Sequence, residues 1–383
     1  MRKAVAIALA AVLLAGCGGS HGAPSNAALR VTPQRALVDA PTKAEVDGLQ
    51  AGDRVVLTAI ATDVHGATWT GAESARADGR GDARLDAGML LALMRPRGAA
   101  AISFLQPVGA THVRLVAAVD GRHVAAATIV RTVSAPGVHA EHLTVARDGL
   151  AGDYFTSAHA GGAPVVAIGG SDGAAPTAIA ALLAAHGHPA LSLSYFDAPG
   201  LPRELLRIHL EYFRHALRWV AARTRARRVG LVGVSRGGEG VLVVGSRYPG
   251  LVSGVAALVP GSQYNPSPTR PHDPAWTVGG RPLPLFEPIP VERIRGPVLT
   301  ASAGRDAVWP SGDYATEIQQ RLTGSRFAHP DLRYPAAGHY VGFAVPYVPV
   351  VDPMQKGGAP AADAAARAAL WPRLLAFLNG LRR

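Results

Sequence analysis

Two rhythms of apolar and polar positions divide this chain, and the change between them falls near Val145. Between Leu29 and Ser134 the alternation is that of strands, in which successive side chains face opposite ways. The stretch DRVVLTAIATDVHGATWTG reads as a strand, a turn at His65-Gly66 and a return strand. In VRLVAAVDGRHVAAATIVRTV two apolar runs flank Asp120-Gly121, a pair suited to a type I′ hairpin. Helical periodicity is missing here, apart from a short turn around Met89 to Met94. Many short strands predict an all-β, immunoglobulin-like antiparallel sandwich over residues 29–135.

A proline-glycine break in SAPGVHAEH opens the second domain, residues 136–383. There, strand-like apolar runs alternate with helical stretches. PVVAIGG and PALSLSYF read as buried strands, with the helix APTAIAALLAAHG between them, closed by a glycine. LPRELLRIHLEYFRHALRWVAART, Leu201 to Thr224, reads as one long amphipathic helix with Leu205, Ile208, Tyr212, Leu217 and Val220 near one face. RVGLVGVS, RGGEGVLVVGSRYP and VSGVAALVP continue as strand, helix, strand. This rhythm predicts an α/β domain with a mostly parallel sheet covered on both faces.

LVGVSRGGEG, Leu231 to Gly240, holds the candidate nucleophile, Ser235. Gly-x-Ser-x-Gly is a weak signal in a chain with 44 glycines. A strand before it and a helix after it are the context of a nucleophile elbow, the turn of an α/β-hydrolase domain that exposes a reactive serine. Gly233 and Gly237 supply the small residues that the tight turn needs. Such folds take their acid and histidine later in the chain. GPVLTASAGRDAVWP presents Asp306 past a strand, and LRYPAAGHYVG presents His339. Asp197 follows a strand but precedes the serine. Asp313 is expected to cap the helix DYATEIQQRL. His209 and His215 fall inside the long helix as packing or surface residues, and His139 and His142 lack further metal ligands nearby. The N–H of Arg236, at the helix start, and that of Gly170 or Ser171 in IGGSDG are the expected oxyanion donors. His339 would take the Ser235 proton while Asp306 orients the imidazole, with no metal or organic cofactor required.

Composition adds constraints. The 383 residues fit two domains or one large one, and at 48% hydrophobic they can bury a sizeable core. The net charge of +11 comes from scattered arginines. Their densest cluster, Arg223, Arg225, Arg227 and Arg228, sits where a helix should end, so nucleic acid is not an expected partner. Met1-Arg2-Lys3, the apolar core AVAIALAAVLL and Leu14-Ala15-Gly16-Cys17 form a signal peptide over residues 1–17 that resembles a bacterial lipobox. Cys17, the chain's single cysteine, is the expected lipidation site, with residues 18–28 as a flexible tether. That implies an exported protein, membrane-anchored on the periplasmic or cell-surface side.

From Leu29 onward the chain resembles type I acyl-CoA thioesterases and the related bile acid-CoA:amino acid N-acyltransferases. The resemblance rests on LPRELLRIHLEYFRHAL, GVSRGGEG, PIPVERIRGPVL, GRDAVWPSGDYA, YPAAGHY and GGAPAADAAARAALWPRLLAFL. It implies an N-terminal β-sandwich before an α/β-hydrolase domain, and Ser235, Asp306 and His339 as the triad. Within that family a serine nucleophile goes with thioesterases and a cysteine with transferases, so Ser235 implies hydrolysis of acyl-CoA or a related thioester. Export argues for another ester or thioester substrate, because acyl-CoA is cytoplasmic. The Pro/Gly-rich segment Gly261 to Pro288 reads as an irregular cover over the site, and Arg270 and Arg281 within it read as solvated loop residues. A non-catalytic surface lipoprotein and an acyl transferase are the competing readings.

Overall fold

The computed structural model of the chain describes residues 26–98, 109–158 and 160–382. Cys17, the expected signal peptide and most of the expected tether lie outside the described residues. Ala28, placed in the tether, already begins a strand.

The N-terminal part builds two sheets. Ala28–Thr32, Lys43–Asp47 and Ala83–Leu85 form one of three strands. A second, of six strands, is centred on Arg54–Thr62, Ala110–Val119 and Arg122–Thr132. Their inward residues, among them Val46, Leu57, Trp69, Leu115 and Ile129, form one buried cluster. Asp120 and Gly121 both have positive φ (48° and 76°), as a type I′ turn demands. One pairing departs from the antiparallel expectation. Arg35–Leu37 runs parallel to Val130–Thr132, because the chain leaves the smaller sheet at Thr32 and joins the larger one.

The second domain is an eight-stranded sheet. Numbered from its first strand, it comprises β1 (Val138–Leu143), β2 (Ala151–Ser157), β3 (Val165–Ile168), β4 (Ala190–Ser194), β5 (Val229–Val234), β6 (Val252–Leu258), β7 (Val298–Ala303) and β8 (Asp331–Tyr334). The spatial order is β1-β2-β4-β3-β5-β6-β7-β8, with only β2 antiparallel to its neighbours. This is the α/β-hydrolase strand order. Alternation divides each central strand between two cores. Val166 and Ile168 join a cluster with helices α2 (Leu210–Thr224) and α3 (Arg236–Arg247). Val165 and Ala167 join another with α1 (Thr177–Ala185) and the closing helix α5 (Pro360–Asn379). Helix α4 (Ser311–Leu322) follows β7.

Three local expectations need correction. The long helix starts at Leu210 rather than Leu201. Ahead of it, Ile208–His209 pairs parallel with Trp276–Thr277, and this tertiary pairing overrides the helical pattern. Leu205 and Ile208 are buried all the same, and His209 contacts Thr277 through Nδ1 at 3.1 Å. Asp313 is not a cap, since α4 already begins at Ser311. The segment 261–288 is not irregular throughout; it contains the short pairings of Pro266–Ser267 with Arg270–Pro274 and of Trp276–Val278 with Arg281–Pro282. Arg270 there faces Glu204 in an exposed ion pair.

Candidate active site

Strand β5 runs buried through the sheet centre and ends at Val234, so the next residue emerges at the carboxyl edge where sites of open α/β sheets collect. Ser235 turns the chain into α3 with φ 58° and ψ −118°, a conformation that L-residues rarely hold. Its N–H donates to the Leu258 carbonyl at 2.8 Å, which ties the turn to β6. The flanking glycines are required by contact. A methyl group on Gly233 would lie 2.1 Å from the Gly237 carbonyl oxygen, and one on Gly237 would lie 2.3 Å from that of Gly169.

Ser235, His339 and Asp306 meet although they come from three separate loops. Ser235 Oγ lies 2.9 Å from His339 Nε2, and His339 Nδ1 lies 2.8 Å from Asp306 Oδ2. A carboxylate can only accept, so Nδ1 carries the proton and Nε2 is left to accept from the serine hydroxyl. Asp306 Oδ1 accepts from the N–H groups of Val308 (3.0 Å) and Trp309 (3.3 Å), which fixes the carboxylate plane. The three groups are nearly dry: Ser235 is 7% exposed, His339 4%, and the Asp306 side chain 1%. In such a setting polar contacts are stronger than in water. Trp309 closes one side, its ring edge-on to His339 at 6.2 Å and its N–H on the Val259 carbonyl at 3.0 Å.

The loop after β3 faces the serine. A Cβ on Gly170 would stand 3.4 Å from Ser235 Cβ. The buried Tyr195 hydroxyl donates to the carbonyls of Gly169 (3.0 Å) and Gly170 (3.2 Å). In planar trans peptides the following N–H groups, of Gly170 and Ser171, therefore point away from Tyr195. Among the described residues neither donates to a backbone carbonyl. Asp197, which precedes the serine, is exposed on a bend, and His142 is held by Asp153 at the surface (2.8 Å).

Sequence reasoning missed a second buried constellation. Glu239, fully buried in the first turn of α3, accepts from Arg236 Nη1 (2.6 Å), Trp276 Nε1 (2.7 Å), Asn265 Nδ2 (2.9 Å) and the Asn265 N–H (3.1 Å). Arg236 also donates to the carbonyls of Asn265 (3.1 Å) and Pro266 (2.9 Å). Burial pushes the Glu239 carboxyl upward in pKa, and the Arg236 charge and the N–H donors oppose that shift. The pair thereby ties the covering segment to the residue after the nucleophile. Its signal was available: a carboxylate followed by Gly-Val-Leu-Val-Val, on a helix buried on all sides.

Residues 208–270 and 286–381 match the family model described as BAAT / Acyl-CoA thioester hydrolase C terminal. Among curated proteins, the chain is 30% identical over 280 residues to acyl-coenzyme A thioesterase 1 of Homo sapiens, covering 64% of this chain and 66% of that protein. The likeness to this family is carried by the C-terminal part of the chain. The BAAT/acyl-CoA thioester hydrolase relatives also include the mitochondrial acyl-coenzyme A thioesterase 2 of Homo sapiens, 30% identical over 64% of this chain and 57% of that protein. The mouse mitochondrial acyl-coenzyme A thioesterase 2 aligns at 27% identity over 94% of this chain and 91% of its own length. The match to each human relative spans less than two thirds of that relative's length. Among solved structures, dienelactone hydrolase from Anabaena variabilis is similar with a TM-score of 0.41 and 14% identity, over 64% of this chain and 100% of that one. The two stretches matched by the family model leave out residues 271–285, which carry Trp276.

Proposed function

We propose that the chain belongs to this family and is a serine thioesterase that releases an acyl group to water through an acyl-enzyme. The observation that carries the reading is the unbroken hydrogen-bonded chain Ser235–His339–Asp306, at 2.9 and 2.8 Å. His339 Nε2 takes the hydroxyl proton as Ser235 Oγ attacks the acyl carbonyl, and Asp306 stabilises the resulting imidazolium. The tetrahedral oxyanion lies against the N–H of Arg236 and that of Gly170 or Ser171. The C–S bond breaks, and the thiolate leaves with the proton from His339. Water then attacks the acyl-Ser235 ester with His339 again as base. The relatives named as acyl-coenzyme A thioesterases support an acyl-CoA substrate.

A fluorophosphonate probe tests the nucleophile: Ser235 is the expected labelled residue. Folded Ser235→Ala protein is expected to lose hydrolysis of acyl-CoAs and p-nitrophenyl esters, and full activity in that variant would overturn the reading. Added glycine or taurine is expected to yield no N-acyl product; its appearance would indicate acyl transfer instead.

We further propose that the protein is exported and anchored by lipid on Cys17, on the support of Leu14-Ala15-Gly16-Cys17. One acyl chain binds a membrane only marginally, so several are needed for a stable anchor. Metabolic palmitate labelling lost in Cys17→Ser is the expected result. If export holds, the physiological leaving group need not be CoA, and a screen of non-CoA esters beside acyl-CoAs identifies it.

A further inference from the structure

Residues 344–358 connect the histidine segment to α5 and touch both domains. At the far end of this strap, the Lys356 carbonyl accepts the N–H of Ala307 (3.1 Å), next to Asp306, and that of His339 (3.2 Å). Gly357 wedges between the same two segments. A Cβ there would lie 1.9 Å from the Arg305 carbonyl oxygen, and one on Gly338 would lie 1.8 Å from that of Gly357. One short piece of backbone thus spaces the acid loop from the histidine.

The middle of the strap rests on the N-terminal domain. The Tyr347 ring sits on Gly88, where a Cβ would stand 2.8 Å from ring Cδ1. Arg95 Nη1 donates to the Val350 carbonyl at 3.1 Å, and Val351 packs against the N-terminal core. From the other side Arg367 of α5 holds the Val348 carbonyl at 3.1 Å. Ala344, Tyr347 and Gln355 all carry positive φ (59°, 57° and 50°), conformations that persist only where the surroundings impose them.

We infer that the N-terminal domain is a positioning device for the triad: Gly88 and Arg95 fix the strap at residues 347–350, and the strap's far end at 356–358 sets Asp306 against His339. Tyr347, Gly88 and Arg95 are positioning residues that do not touch the reacting atoms. The inference rests on the proposed roles of Ser235, Asp306 and His339. A misplacement of about 1 Å in such a constellation costs on the order of 100-fold in rate.

The test uses the full purified chain. Tyr347→Ala and Arg95→Ala are expected to lower kcat on a p-nitrophenyl ester by about 10- to 100-fold with KM within about twofold. Tyr347→Phe, which keeps the ring on Gly88, is expected to restore kcat. Near-ultraviolet circular dichroism reports the folded fraction, and kcat is expressed per folded molecule. If Tyr347→Ala does not fold, Arg95→Ala decides. Unchanged kcat in the folded variants, or a rise in KM alone, overturns the inference. Activity retained by Ser235→Ala would instead remove the reaction reading on which it rests.

Discussion

Glu239→Ala is the sharpest stability test of the buried pair beneath the elbow. The substitution removes the carboxylate and leaves the Arg236 guanidinium, 5% exposed, with no counter-charge. Breaking a buried pair in this way costs about 3–5 kcal/mol. The Trp276 indole N–H and the Asn265 amide lose their acceptor as well, each an orphaned donor of about 1–3 kcal/mol. These costs share one site and do not add, so we expect a loss near the top of the first range, about 5 kcal/mol. For a domain of this size that is a fall in Tm of roughly 10–20 °C. The assay is a thermal melt by circular dichroism, repeated for Glu239→Leu, for Arg236→Met and for Arg236→Met/Glu239→Leu. The double variant has no unpaired charge, so it should recover at least about 2 kcal/mol relative to the sum of the singles. It should still melt below the wild type, because Trp276 and Asn265 remain orphaned. Additivity within about 0.5 kcal/mol, or a loss below about 1 kcal/mol for Glu239→Ala, would refute the reasoning.

Three further outcomes follow from the geometry. Asp306→Asn keeps the shape of the triad but removes its charge and favours the wrong imidazole tautomer, so kcat should fall by about 10⁴-fold with the fold intact in a melt. At position 235 glycine should be more stable than alanine by up to about 2 kcal/mol, since only glycine relaxes at φ 58° and ψ −118°; the reverse order in denaturant unfolding would contradict the strain argument. The Asp39 hydrogen bond, at 2.5 Å, raises the His186 pKa, against burial, which lowers it. A raised folded-state pKa gives stability that is complete below the unfolded value and lost as pH rises through the folded one. The Tm advantage of wild type over His186→Gln should therefore be complete well below about pH 6.5 and shrink as pH rises above it.

That Ser235, Asp306 and His339 come within hydrogen-bond reach of one another was legible because the constraints on each are local to its loop. A strand, a glycine-flanked serine and a helix define the elbow, and a strand end precedes both Asp306 and His339. The unbroken apolar run VVAI likewise foretells a strand buried on two faces, which Val165 to Ile168 proves to be. What stayed hidden depends on partners distant in sequence. The stretch 201–209 has a helical pattern, but Ile208 pairs with Trp276 and so extends. Pro/Gly richness in 261–288 suggested disorder of form, whereas short cross-strand pairs and Glu239 organise it. The strap 344–358 has no periodicity at all; its conformation comes from Gly88, Arg95 and Arg367.

The reach of these contacts bears on how the chain folds. Ser235 and His339 are 104 residues apart, and the Trp371 indole N–H that bonds Asp39 at 2.6 Å lies 332 residues away from it. Contacts this distant in sequence close large loops and form slowly compared with hairpins and helices. A refolding molecule should regain its far-ultraviolet signal well before it can turn over substrate. Hydrolysis then times the last docking event rather than the assembly of the sheet, and a lag between the two signals would measure that step directly.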